Sequence, residues 1–159
     1  MRVNHAGEIA AQALYDSQAL LARDDSMRQT LKRAGQEEAD HLAWTEARLR
    51  ELGAAPSLLA PVWYLGAFAI GAAAAALGDR ASASFLKATE DQVEAHLSSH
   101  LDRLPANDAR SRVIVAAMKQ DEAAHANTAA EMGAVALPAP AHAAMKLAAR
   151  VMTTVAYRI

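Results

Sequence analysis

The sequence predicts an all-α fold: a four-helix bundle with a long crossover helix and an extra C-terminal helix. Three observations predict it. The 159 residues are rich in alanine, with only 7 Gly and 5 Pro; that composition favours helix. Apolar residues recur at steps of three and four, and no stretch alternates with a period of two. Turn signals also fall at regular places. Asn4 is expected to cap a first helix running to about Arg23. Asp24, Asp25 and Ser26 break it, and Ser26 with Gln29 reads as a capping box opening a second helix over 26–52. Gly53 is its stop. Pro56 and Pro61 lead into a third helix over about 61–77, ended by Gly78-Asp79. A fourth spans about 81–104, stopped by Pro105. Asn107 or Asp108 caps a fifth, over 108–132, with Gly133 behind it. Pro138 and Pro140 break the chain before a last helix over 141–157. No linker divides the chain, so 1–159 is expected to be one domain, with helices 1, 2, 4 and 5 forming the bundle and helix 6 packed outside.

Composition excludes several classes of function. A net charge of −2 argues against a basic nucleic-acid binder. Aromatics at 4% leave no base-stacking platform. Without cysteine there is no disulfide, thiolate nucleophile, Cys-based zinc site or iron–sulfur cluster. Met1–Glu8 lacks the layout of a secretory signal.

The faces that should be buried are interrupted by glutamate. Helix 1 carries Glu8 with Ala11, Tyr15, Ala19 and Ala22. Helix 2 carries Leu31, Ala34, Glu38, His41, Leu42, Thr45, Leu49 and Leu52. Helix 4 carries Leu86, Glu90, Val93, Leu97 and Leu101, and helix 5 carries Val115, Met118, Glu122, His125, Ala129 and Met132. An unpaired buried carboxylate costs several kcal/mol, so four facing one core require a cation. The spacing repeats: Glu8 precedes the E-x-x-H of Glu38 and His41 by 30 residues, and Glu90 precedes that of Glu122 and His125 by 32. At about 1.5 Å per residue, each lone Glu and its E-x-x-H partners lie at similar distances on either side of their hairpin turn. Packing two such hairpins together brings four Glu and two His to one level. This is the ligand plan of a di-iron or di-manganese carboxylate bundle, and four carboxylates balance two divalent ions. Zinc would also suit the donors. Glu37 and Asp121, each preceding an E-x-x-H Glu, are placed to accept the free N–H of the other half's histidine: Asp121 from His41 and Glu37 from His125.

Arg2-Val-Asn-His-Ala-Gly-Glu8, Glu37-Glu-Ala-Asp-His41, Glu90 with Val93-Glu-Ala-His96, Asp121-Glu-Ala-Ala-His125 and the closing Ala156-Tyr-Arg-Ile159 resemble the demethoxyubiquinone hydroxylase family of ubiquinone biosynthesis, whose fold is ferritin-like. The resemblance implies iron ligands Glu8, Glu38, His41, Glu90, Glu122 and His125, holding two iron ions per chain. It implies a monooxygenase that inserts one atom of O₂ into the ring of a polyprenyl benzoquinol. An external electron donor is required, NAD(P)H among the candidates. The family also implies a peripheral position on the quinone-bearing membrane, on the cytoplasmic face of the inner membrane in a bacterium, and an accessory lipid-binding protein in some organisms. Members usually carry residues ahead of the opening motif, which begins here at Arg2, so a shortened chain is expected. Some have a Tyr where this chain has Leu97, so no redox role of that Tyr carries over.

The remaining residues are read against that expectation. Leu58–Leu77 is 20 residues long without a charge, long enough to span a bilayer. A single span would strand the two ligand-bearing hairpins on opposite sides, so a crossover helix touching one leaflet is expected, with Trp63, Tyr64, Leu65 and Phe68 as lipid or quinone contacts; a wholly buried helix is the other reading. Helix 6 pairs apolar Met145, Leu147, Val151 and Val155 with basic Lys146, Arg150 and Arg158, suiting anionic lipid or docking on the bundle. Tyr15, seven residues after Glu8, is core or a donor near the metals. His96 is six residues after Glu90 and out of phase, reaching the metals only through a bulge or from the flank. His5 either approaches the metals or supports the helix start, and His100 and His142 are expected on the surface. A ferritin-like ferroxidase or iron store shares the ligand plan, as do a rubrerythrin-like peroxidase and a tRNA hydroxylase. The long uncharged segment, the missing Cys and the lack of a basic stripe argue against them in turn. A non-enzymatic membrane scaffold leaves the six ligands unexplained.

Overall fold

A computed structural model describes residues 1–159 as six helices and no strand: α1 (Arg2–Leu21), α2 (Asp25–Glu51), α3 (Ala60–Ala76), α4 (Asp79–Arg103), α5 (Ala109–Glu131) and α6 (Ala139–Arg158). The fold class is as the sequence indicates. Two caps differ. α1 starts at Arg2, so Asn4 lies inside it and is buried, not capping. α2 is capped by Asp24, whose carboxylate accepts the Met27 N–H at 2.8 Å, not by Ser26. The choice is tertiary: Asp79, at the start of α4, accepts the N–H groups of Arg23 and Asp24 at 3.0 and 2.9 Å and fixes the break from a distant part of the chain. At α5 the expected cap holds, with Asp108 accepting from Ser111 N–H at 3.0 Å.

α1 pairs closely with α2, and α4 with α5. The two hairpins approach each other less closely, across α1/α4 and α2/α5. α3 runs the length of the bundle: Arg2 Nε donates to Ala55 O near its start, and Arg23 donates to Ala76 O at its end. It lies along α1 and touches α4, while α6 packs on α1 and the edge of α4. No helix is long and apolar enough to cross a membrane.

Two apolar clusters fill the bundle on either side of its middle. Towards one end Tyr15, Ala19, Met27, Leu31, Ala83, Leu86 and Ala129 pack together. Towards the other, Leu97, Val115 and Met118 meet Val93, Leu101 and Ile114. The polar level between them is the candidate site. Close packing of α3 on α1 depends on Gly71, where an added Cβ would fall 2.3 Å from Ser17 Oγ and 3.2 Å from Leu14 Cα. Ser17 is wholly buried and bonded to Leu14 O, so neither neighbour can yield cheaply. Gly71→Ala is expected to destabilise by ~1–3 kcal/mol, read as a lower urea midpoint at unchanged slope.

Candidate metal centre

All six residues of the repeated Glu … E-x-x-H pattern converge in the middle of the bundle, each 6% exposed or less. Glu8, Glu38, His41 and Glu122 form one group whose ligand-type atoms lie within 4.8 Å of one another; Glu90, Glu122 and His125 form a second. Two carboxylates join the halves. Glu38 reaches His41 Nδ1 at 3.5 Å and His125 Nδ1 at 3.1 Å. Glu122 reaches the same atoms at 3.8 and 3.6 Å. Glu8 stands on the His41 side, 3.5 Å from Nδ1.

Both imidazoles turn Nδ1 inward and Nε2 outward. His41 Nε2 lies 3.0 Å from Asp121 Oδ2, and His125 Nε2 lies 2.7 Å from Glu37 Oε2. Each E-x-x-H histidine is thus held by the acid that precedes the other half's E-x-x-H. A carboxylate on one ring nitrogen orients the ring and raises the basicity of the other.

The inward atoms have no hydrogen-bond partner within the chain. Glu8 Oε2, both oxygens of Glu38 and of Glu122, Glu90 Oε2 and Nδ1 of His41 and His125 are buried without a hydrogen bond. Buried polar atoms are otherwise almost always satisfied, and so many orphans on one level fit a pair of divalent cations with carboxylate and imidazole donors. Protons respond to the same field. Burial works to lower both imidazoles, but the facing carboxylates push His41 and His125 up to about 11. Burial and neighbouring carboxylates raise Glu8 and Glu90 well above the usual range. Glu38 goes the other way, to about 2, because burial is outweighed by the two imidazoles that face it. Metal binding must therefore expel protons from the histidines and from Glu8 and Glu90, so affinity is expected to rise with pH and fall on acidification, by about one decade per pH unit for each proton released. Calorimetric titration in buffers of different ionisation enthalpy measures that release, and a heat independent of buffer would contradict it.

The family model described as "Ubiquinone biosynthesis protein COQ7" matches residues 1–156. The chain belongs to the COQ7 family. Among its relatives are proteins named 3-demethoxyubiquinol 3-hydroxylase from Chromobacterium violaceum, Polaromonas naphthalenivorans and Variovorax paradoxus. They are 60%, 61% and 62% identical to it over 159 residues, the whole of this chain and 77%, 76% and 76% of theirs.

Other candidate residues of this COQ7 chain divide. The Tyr15 hydroxyl donates to Glu90 Oε1 at 2.9 Å, and its ring stands edge-on to His125 with centroids 5.8 Å apart. His96 does not join the cluster; its ring lies 6.3 Å from that of His100, and its Nε2 is buried without a partner. α4 continues through this stretch as α-helix, so no bulge turns His96 inward. His100 is half-buried rather than on the surface, and burial, followed by neighbouring positive charge and His96, lowers it to about 4. His142 is likewise partly covered. His5 is buried with Nδ1 unpartnered, as is the whole amide of Asn4, one turn before Glu8. On α3, Trp63 and Tyr64 are half-buried: Trp63 Nε1 donates to Ser57 Oγ at 3.2 Å, and Tyr64 donates to Asp16 Oδ2 at 2.8 Å and stacks on Phe68. Leu65 is exposed. Sequence reasoning missed Trp44, whose ring centroid is 5.3 Å from that of His41. Its place three residues after an E-x-x-H histidine was the available signal.

Proposed function

We propose that this chain is a di-iron monooxygenase that hydroxylates the ring of a 3-demethoxyubiquinol in ubiquinone biosynthesis. The observation that carries the reading is the set of six buried Glu and His side chains whose inward atoms lack partners. The names of its relatives supply the substrate class. Two iron ions held by Glu8, Glu38, His41, Glu90, Glu122 and His125 would supply the redox chemistry that activates O₂. One oxygen atom enters the ring; the other leaves as water, with two electrons and two protons from a donor.

The protein's own part is to fix the donors and limit the access of water. Asp121 and Glu37 hold the imidazoles, Tyr15 holds Glu90, and apolar clusters pack on either side of the ligand level. A polyprenyl tail requires an apolar approach. α3 and its flanks leave Leu58, Val62, Leu65, Ile70 and Leu77 exposed, and α6 leaves Leu147 and Val151 exposed beside Lys146 and Arg150. These surfaces are assigned to one leaflet of the quinone-bearing membrane, on the cytoplasmic face in a bacterium, with Leu65 immersed and Trp63, Tyr64 and Phe68 nearer the bundle.

A single turnover tests the reaction. The chain is loaded with Fe(II) without oxygen, given a short-tailed demethoxyquinol and exposed to ¹⁸O₂. A product bearing one labelled oxygen is expected. Iron oxidised with no labelled product would replace this reading with ferroxidase chemistry.

A further inference from the structure

The two halves of the metal centre share a ligand pattern but not their surroundings. Three residues after the E-x-x-H histidine, one half has Trp44 and the other has Thr128. The Trp44 indole lies against His41 and covers it; His41 is 1% exposed. Thr128 offers no such cover, because its hydroxyl turns back to Ala124 O at 3.0 Å. In place of an indole there is a cavity of about 250 Å³, with Thr128, Arg33 and Glu37 among its walls and Tyr15 and His125 at its inner end. Arg33 and Glu37 are exposed while Tyr15 and His125 are buried, so the cavity leads from solvent to His125, the one member of the six-residue cluster on its wall. It lies between α2 and α5, away from α3, which packs on α1 and α4. Its walls are mixed, with Thr30, Arg33, Glu37 and Thr128 beside Leu31, Ala34, Leu86 and Met132, and its volume suits several water molecules. An isoprenoid tail entering there would have to strip water from Arg33 and Glu37 at the exposed mouth, so the mouth favours small hydrophilic solutes.

We propose that the α2/α5 cavity is the route by which aqueous divalent metal ions and small ligands reach and leave the position at Glu90, Glu122 and His125, and that Trp44 closes the position at His41, so the two metals exchange at different rates. The inference rests on the dinuclear reading given above.

The test is chelation of the metal-loaded chain. The full chain is loaded with Co(II) and mixed with excess 2,2′-bipyridyl, and the visible bands of the bound metal are followed. Two phases of equal amplitude are expected. Thr128→Trp, which fills the cavity, is expected to slow the fast phase by about tenfold or more, equivalent to ~1.4 kcal/mol on the exit barrier. Trp44→Thr is expected to accelerate the slow phase by a similar factor. One phase for both metals, or two phases that neither variant moves, would overturn the route. If Thr128→Trp does not fold, Trp44→Thr decides: acceleration supports the route and an unchanged slow phase rejects it. A wild-type chain that takes up fewer than two Co(II) ions would overturn the dinuclear centre itself, a failure distinct from two bound ions released together.

Discussion

Glu122→Ala is expected to empty both metal positions at once. Glu122 is the one side chain common to both ligand groups, and its oxygens face His41 on one side and His125 on the other. Truncation removes an anionic donor from each group and leaves apolar space that no neighbour fills. Residues that merely orient ligands are worth ~10–100-fold in metal affinity; loss of a shared ligand is expected to exceed about 100-fold and to take product formation below ~1% of the parent value. Metal analysis after gel filtration and the labelled-oxygen turnover check this, with far-UV circular dichroism to show that the helices persist. Full metal content and normal turnover would refute the site.

The second large effect is expected at the exposed apolar surface. Leu65 on α3 and Leu147 on α6 are 68% and 63% exposed, so replacing both with Asp costs the fold little. Burying two leucines in lipid contributes ~3–6 kcal/mol, and the double variant loses that and adds charge. Its partition onto anionic vesicles is expected to fall by a factor on the order of 100 or more, with metal content unchanged. Flotation of the variant equal to that of the parent would remove the leaflet assignment. These positions discriminate better than Trp63, whose indole is tied to Ser57 and whose loss would disturb the start of α3.

The convergence of the six Glu and His side chains was legible because helical periodicity converts sequence spacing into height, and Glu at positions otherwise reserved for Leu and Ala is costly enough to be conspicuous. The partner swap of His41 with Asp121 and His125 with Glu37 followed from the same repeat. The cap of α2 was not legible. Asp24, Asp25 and Ser26 are all competent caps, and the decision came from Asp79, 55 residues beyond Asp24. Asn4 is a good capping residue by type, but it lies inside α1 on a face that the bundle buries. The cavity was also invisible, since it arises from what Thr128 fails to cover, a difference between two halves that spacing alone makes look equivalent.

The arrangement of hairpins has a consequence for the protein's lifetime. α1 grips α2 and α4 grips α5, but between the pairs stand inward-facing carboxylates, with α3 closing one side only. Metal ions at that level would act as rivets between two half-bodies. A ligand that binds only the folded state stabilises it by RT ln(1 + [L]/Kd), about 2.7 kcal/mol at a hundredfold excess over Kd. On the di-iron reading proposed above, iron scarcity would do more than idle the enzyme: chains made without metal would open between the hairpins more often and be cleared sooner by proteases, so the supply of iron would set how much of the protein a cell keeps.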